Sequence, residues 1–248
     1  MKEFGLIGFP LGHSFSEKYF TEKFEKLGLK DHSYKLFPIE HIPDGFPKLL
    51  QDNPGLNGIN VTIPHKIEVL DFLDDIDEAA KAIGAVNCIK ITVTDGKRHL
   101  KGYNTDVYGF ENSLKPMLEP FHKQALVLGN GGAAKAVKYV LEKLGIPYKS
   151  VSRTPSSEML SYADLNEKTL SAYQIIINTS PVGTYPKAEE APDLPYEFIT
   201  DQHLLYDLVY NPAETVFLAH GKRKGAKTKN GYEMLELQAE KSWDIWNE

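Results

Sequence analysis

An α/β protein made of two α/β domains in succession is what the residue pattern predicts, on three observations. Short apolar runs alternate with segments of helical spacing through the first part of the chain. Further on, the unbroken apolar run Ala125-Leu126-Val127-Leu128 enters a glycine turn and then a helix-like segment. Runs of strand length recur after it, again separated by stretches long enough for helices. A βα alternation of this kind favours parallel or mixed sheets covered by helices.

Residues 4–8 read as a short buried strand, and residues 16–27 as a helix, because Tyr19, Phe20, Phe24 and Leu27 recur at helical spacing. Ser16 suits the N-cap of that helix, without excluding a second role for its hydroxyl. Strands are expected at 33–37, 58–61, 85–91 and 99–102, and helical segments at 41–50, 66–70 and 76–82. Together they predict a mixed sheet for this first domain. Pro64 ends the strand before it, so that Lys66 opens the next helix. A second pattern starts near Gln124, where the apolar run suits a central parallel strand buried on both faces. It meets Gly129-Asn130-Gly131-Gly132-Ala133-Ala134 and a helix to about Leu144, stopped by Gly145 and Pro147. Strands at 148–152, 175–177 and 204–207 complete the periodicity of a doubly wound, Rossmann-like nucleotide-binding domain. The last stretch, 231–246, is amphipathic through Met234, Leu235, Leu237, Trp243 and Trp246, and is expected to fold back on the first domain. The division drawn is 1–104 with the C-terminal helix 229–248, and 105–228.

Composition excludes several classes of function. At 248 residues, 42% hydrophobic and 25% charged, the chain falls in the soluble globular class. A net charge of −6 argues against a general binder of nucleic acid or anionic membrane. The basic stretch Lys222-Arg223-Lys224 with Lys227 and Lys229 reads as a solvated loop. No apolar run is long enough to span a membrane. The first residues lack the apolar core of a secretory signal, so a cytoplasmic protein is expected. The single cysteine, Cys88, leaves no internal disulfide and no thiolate cluster, and no metal site is expected.

Gly129-x-Gly131-x-x-Ala134 follows a buried strand and opens a helix, the context that gives a glycine motif its meaning. Small residues there let the backbone approach a pyrophosphate, whose charge the helix N-terminus favours. At the end of the next strand an NAD site normally carries Asp or Glu for the ribose 2′-hydroxyl. Here the chain reads Ser152-Arg153-Thr154, and Arg98, Arg153 and Arg223 are its only arginines. A planar guanidinium with flanking hydroxyls suits a 2′-phosphate, so NADP is the expected cofactor.

In the first half, polar groups concentrate where strands end: 12–16, 60–66, 85–87 and 102–106. Asn60 and Thr62 alternate along an extended segment and so can share one face. Taken singly, Ser14 or Asn60 is turn chemistry, Lys66 a surface lysine and Asp106 a first-turn acid. Their co-occurrence points to a site.

These segments carry a resemblance. Gly8-Phe9-Pro10-Leu11-Gly12-His13-Ser14-Phe15-Ser16, Asn60-Val61-Thr62-Ile63-Pro64-His65-Lys66, Ala82-Ile83-Gly84-Ala85-Val86-Asn87 and Gly102-Tyr103-Asn104-Thr105-Asp106 resemble the signature blocks of shikimate dehydrogenases. The glycine turn, Ser152-Arg153-Thr154, Asn178-Thr179-Ser180-Pro181-Val182-Gly183, residues 206–212 and Met234-Leu235-x-x-Gln238 resemble the later blocks, in family order. The resemblance implies reversible hydride transfer between NADPH and 3-dehydroshikimate, giving shikimate in aromatic amino-acid biosynthesis by way of chorismate. It implies that Ser14, Ser16 and Tyr210 hold the substrate carboxylate, and that Asn60, Thr62, Asn87, Asp106 and Gln238 bind ring hydroxyls. Lys66 and Asp106 become the catalytic pair. Gly129, Gly131, Gly132 and Ala133 match the pyrophosphate loop, Ser152, Arg153 and Thr154 the 2′-phosphate site, and Thr179 and Gly231 further cofactor contacts. A monomer or homodimer acting on a small molecule, with no nucleic-acid or membrane partner, completes the expectation.

Elementary chemistry agrees with those roles. A ketone reduced by hydride leaves an alkoxide that needs a proton. A lysine ammonium can stabilise that developing charge and give up the proton, and an adjacent carboxylate would orient the ammonium and keep it charged. The chain departs from the family at Glu17, where proline is usual, at Asn130, where alanine is common, and at Glu233, where a second glycine usually follows Gly231. Two rival readings fit part of the pattern: an NAD-preferring quinate/shikimate dehydrogenase, against which Arg153 counts, and a catalytically silent ligand sensor, against which Lys66 and Asp106 count. A generic NADP-binding module leaves the first-half blocks unexplained.

Overall fold

The computed structural model describes residues 2–12 and 14–248; His13, part of the first signature block, lies outside the described residues. The chain divides into two compact units, one running through Thr105 and joined by Ala239–Glu248, the other Asp106–Gln238. Among the described residues no helix is long and apolar enough to cross a membrane.

The first unit holds β1 (Lys2–Gly8), α1 (Phe15–Lys26), β2 (His32–Pro38), α2 (Ile42–Asp52), β3 (Leu56–Val61), β4 (Asp75–Ile76), α3 (Glu78–Ile83), β5 (Cys88–Thr94) and β6 (Lys97–Tyr103). Its mixed, six-stranded sheet has the order β2-β1-β3-β5-β6-β4. The strands β2, β1 and β3 are parallel, whereas β5 runs antiparallel between β3 and β6. Asp95 and Gly96, both at positive φ (51° and 74°), make the tight turn that a β5–β6 hairpin requires. Successive strand residues face opposite sides. Ile7, Ile59, Val61 and Ile89 accordingly pack with Ile42 and Phe46 of α2, while Phe4 and Leu6 pack with Phe20 and Phe24 of α1 and with Ile245 and Trp246. A Cβ on Gly58 would lie 2.3 Å from the Trp246 indole nitrogen, so only glycine lets the ring seat there. The indole N–H donates to the Ile89 carbonyl at 3.0 Å.

Two local expectations are corrected. Ser14, not Ser16, occupies the N-cap position of α1, and its hydroxyl makes no capping bond; Ser16 lies inside the first turn. The helix expected at 66–70 does not form, and only a 3₁₀ turn, Glu68–Phe72, follows Lys66. The reason is a competing acceptor bond. The Lys66 carbonyl is taken by the Val86 N–H at 2.8 Å, and Leu70 N–H bonds back to Ile67 instead. By contrast α3 is capped by its own sequence, since the Asp77 side chain accepts from the Ala80 N–H at 3.0 Å. Asp77→Ala is expected to lower unfolding stability by about 1 kcal/mol in a urea titration; an unchanged midpoint would show the cap to be idle.

The second unit holds α4 (Asp106–Leu114), β7 (Ala125–Leu128), α5 (Gly132–Lys143), β8 (Tyr148–Val151), α6 (Glu167–Ala172), β9 (Ile175–Asn178), β10 (Leu204–Asp207), α7 (Val216–Arg223), β11 (Lys227–Lys229) and α8 (Tyr232–Asn247), the last shared with the first unit beyond Gln238. Its five strands are all parallel in the order β11-β10-β9-β7-β8. Every residue of β7, β9 and β10 is buried, as expected for the middle of a sheet covered on both faces. The order in which strands are added switches sides between β7 and β9, which opens a crevice at the carboxyl ends of those strands. The basic stretch is largely solvent-exposed, as expected, but most of it is not loop. Its lysines end α7, where positive charge suits the helix terminus, and continue into β11, whose backbone pairs with β10. Lys222, Lys227 and Lys229 each pair with a glutamate: Glu214, Glu119 and Glu233.

Candidate functional site

In the first unit the register brings four separate segments to one end of the sheet. Ile7 pairs with Val61, Asn60 with Cys88, and Cys88 with Tyr103. The exits of β1, β3 and β6 and the entry of β5 therefore share an edge. Ser14 and Ser16 follow β1, Thr62 to Lys66 follow β3, Asn87 precedes β5, and Thr105 follows β6. Backbone bonds lock the turn: Thr62 N–H to Ile7 at 2.9 Å, His65 N–H to Thr62 at 3.0 Å, and the Val86 bond to Lys66. The buried His65 ring adds a bond from Nε2 to the Ile39 carbonyl at 2.5 Å. Asn87 Oδ1 accepts from the Thr105 N–H at 2.7 Å and hydroxyl at 3.1 Å. An ammonium, an amide and several hydroxyls at one edge can hold a small ligand bearing carboxylate and hydroxyl groups.

In the second unit a cavity of about 500 Å³ opens at the carboxyl ends of β7, β8 and β9. It is lined by Gly129, Asn130 and Gly131, by Ser152, Arg153 and Thr154, and by Thr179, Ser180 and Pro181. Gly129 has φ +103°, and a Cβ there would lie 3.0 Å from the Thr179 hydroxyl, so the turn needs glycine. Gly131 precedes α5 without a side-chain cap, leaving the helix's first amides to another acceptor. A Cβ on Gly131 or Gly132 would meet nothing within 4 Å, so the approach to those amides is open. Among the described residues, Arg153 is the one cation in the lining, and no carboxylate stands there. Those features fit a dinucleotide bearing a 2′-phosphate, with Arg153 as its counter-charge. Gly132 and Ala133 open α5 rather than line the cavity. Gly231 is glycine for another reason as well: a Cβ would fall 2.1 Å from the Leu208 carbonyl. Gly109, one turn after Asp106, presents its Cβ position 2.4 Å from the Met234 carbonyl and 3.2 Å from Gln238, so the start of α4 lies against the segment of α8 that carries Gln238. Tyr210, after β10, is exposed, and Gln238 is buried.

Residues 6–89 match the family model described as the shikimate dehydrogenase substrate binding domain. A curated relative from Clostridium beijerinckii, named shikimate dehydrogenase (NADP(+)), is 40% identical over 261 residues, covering 100% of this chain and 93% of the relative. The chain belongs to the shikimate dehydrogenase family. A second relative of the same name, from Carboxydothermus hydrogenoformans, is 37% identical, covering 98% of this chain and 90% of its own length. A shikimate dehydrogenase from Thermus thermophilus, solved in complex with NADP(H) and shikimate, superposes with a TM-score of 0.85 at 31% identity, covering 99% of this chain and 93% of the other.

For a shikimate dehydrogenase, the motif blocks omit residues that support the site from behind. Tyr34, on β2, donates to Asn60 Oδ1 at 2.8 Å. Burial drives its hydroxyl well above the ordinary tyrosine range, and it also bonds the Ser16 side chain. The Asn60 amide donates to the Asn87 carbonyl at 3.3 Å and to Ser242 at 3.0 Å. Its amide protons are thus committed within the protein, leaving an Oδ1 lone pair for a ligand. Ser242, on α8, also meets the Thr105 hydroxyl at 3.2 Å. No local pattern marks Tyr34 or Ser242, because their partners are remote in sequence. Asn130, Ser180 and Pro181 are likewise cavity residues that the motif reading did not nominate. Tyr34→Phe leaves the Asn60 oxygen buried without its donor, and is expected to lower stability by about 1–2 kcal/mol in denaturant melts. An unshifted midpoint would show that Asn60 finds another donor.

Proposed function

We propose that this chain is an NADP-dependent shikimate dehydrogenase that reversibly reduces 3-dehydroshikimate to shikimate. The observation that carries the reading is the cavity at the β7–β9 crevice, where Arg153 stands among hydroxyls and no acid competes for a ribose hydroxyl. In support, the ammonium of Lys66, the hydroxyls of Ser14, Ser16 and Thr62 and the amide of Asn87 belong to one edge of the first sheet.

In this proposal residues 1–104 supply the substrate domain, helped by the C-terminal helix, and 105–228 the nucleotide domain. Ser14, Ser16 and Tyr210 hold the carboxylate; Asn60, Thr62, Asn87, Asp106 and Gln238 bind the ring hydroxyls. Gly129, Gly131, Gly132 and Ala133 receive the pyrophosphate, Ser152, Arg153 and Thr154 the 2′-phosphate, and Thr179 and Gly231 complete the cofactor contacts. The nicotinamide, when bound, supplies or accepts the hydride. Lys66 donates a hydrogen bond to the substrate carbonyl oxygen, stabilises the negative charge that develops there and delivers the proton. Asp106 orients the Lys66 ammonium and accepts from a substrate hydroxyl. The same reading makes the chain a cytoplasmic monomer or homodimer.

A spectrophotometric assay of shikimate oxidation with NADP beside NAD, repeated with quinate, tests it. Turnover is expected with shikimate and NADP, at least about tenfold above the rate with NAD. Preference for NAD would favour a quinate/shikimate dehydrogenase, and substrate binding without turnover a ligand sensor. Absence of both binding and turnover with every pair would refute the proposal.

A further inference from the structure

The blocks around Asn178 and Asp207 contain a buried polar network that the proposed chemistry does not use. Asn178 ends β9, Asp207 ends β10 and Thr215 caps α7, and each is 0% exposed. The Asn178 amide donates to Asp207 Oδ1 at 2.9 Å and to the Val182 carbonyl at 3.3 Å. Its oxygen accepts from the Ser180 N–H at 3.1 Å and the Ser180 hydroxyl at 2.7 Å. Asp207 Oδ1 accepts in addition from the Val209 N–H at 3.0 Å, and Oδ2 from the Thr215 hydroxyl at 2.6 Å. Every donor and acceptor site of the Asn178 amide is therefore engaged, which leaves that side chain a single arrangement. Burial pushes the Asp207 carboxyl up to about 6, while donors from Thr215, Val209 and Asn178 pull the other way. The three groups bonded to it all donate, which suits a carboxylate, an acceptor only.

The network ends on the cavity. Thr179 and Ser180, directly after Asn178, form part of its wall. Thr179 bonds the Leu128 carbonyl through its N–H at 2.9 Å and its hydroxyl at 2.7 Å. The Gly129 turn comes so close that a Cβ there would lie 3.0 Å from the Thr179 hydroxyl and 3.3 Å from the Ser180 nitrogen. A shift of Ser180 by a few tenths of an ångström thus changes the space beside the glycine turn. We infer that Asp207 is a positioning residue for the cofactor, acting through Asn178 to hold Thr179 and Ser180 against that turn. The inference rests on the NADP reading of the cavity. It assigns to a buried carboxylate at the next strand end a share of cofactor affinity, and none of the proton transfer.

Two substitutions separate positioning from mere stability. Asp207→Asn keeps the side-chain shape and removes the charge; Asn178→Ala removes the link and leaves Asp207 bonded to Val209 and Thr215. NADPH dissociation constants are measured by nicotinamide fluorescence for the native chain, both single variants and the double variant, beside shikimate KM, kcat at saturation and melting temperature. Each single variant is expected to weaken NADPH about tenfold, and the double variant no more than the weaker single, because both cut one chain of bonds. Shikimate KM and saturating kcat should stay within about twofold of native. Variants that melt earlier yet bind NADPH as the native chain does would overturn the inference, as would losses that multiply in the double variant. Should Asp207→Asn fail to fold, Asn178→Ala decides alone by the same split. A native chain that does not bind NADPH overturns the NADP reading, and with it this inference; native binding with unchanged variants overturns the inference alone.

Discussion

Replacement of Lys66 by alanine is expected to lower kcat by about a thousandfold or more while NADPH binds as before. On the proposed mechanism the substitution removes both the proton donor and the positive charge assigned to the developing alkoxide. The local backbone should tolerate it. The turn is held by main-chain bonds, from Val86 to the Lys66 carbonyl and from His65 to Thr62, and by the His65 ring on Ile39, none of which uses the lysine amine. Arginine should not rescue activity, since a guanidinium does not release its proton at working pH. Steady-state rates beside a fluorescence titration with NADPH check this. A fall in NADPH affinity that tracks the fall in rate would show that Lys66 supports the structure rather than the chemistry.

Arg153→Ala is expected to erase the preference for NADPH. Two charge-assisted hydrogen bonds to a 2′-phosphate, at about 1.5 kcal/mol each at the low end, correspond to about a hundredfold in affinity. NADH lacks that phosphate, so its weaker binding should scarcely change. The discriminating quantity is the ratio of kcat/KM for the two cofactors, measured on native and variant enzyme. Equal losses with NADH and NADPH would place Arg153 in the wall of the cavity rather than on the phosphate. Lys66→Ala and Arg153→Ala should therefore be mirror images, one losing rate at constant cofactor affinity and the other losing affinity for one cofactor.

The strands most visible in the sequence were those buried on both faces. The runs 125–128 and 175–177 are continuous apolar stretches, and burial of every residue in β7 and β9 is what such runs require. β11 escaped notice because its residues are Lys227, Thr228 and Lys229. It is a strand only because its backbone pairs with β10 at the sheet margin. The α-helix expected from Lys66 fails for a related reason, since Val86, twenty residues on, takes the carbonyl that a helix would need. Among the candidate residues, Ser14, Lys66 and Asn87 in the first unit and Arg153 in the second drew notice because reactive or charged groups cluster where strands end. Tyr34, Ser242 and the Asp207–Asn178 bond were not, because each is defined by a partner that no local spacing reveals.

The chain's own pattern was sufficient for the α/β class, the glycine turn before a helix, the absence of an acid beside Arg153, and the blocks that carry the family resemblance. All of these are set by periodicity and residue chemistry over a few neighbours. Strand order, the shared edge that collects Ser14, Thr62, Lys66 and Asn87, and the buried supports behind Asn60 and Thr179 emerged on folding alone. They depend on which distant backbone and side-chain groups satisfy one another once water is excluded, and a buried polar group accepts whichever partner the packing brings to it.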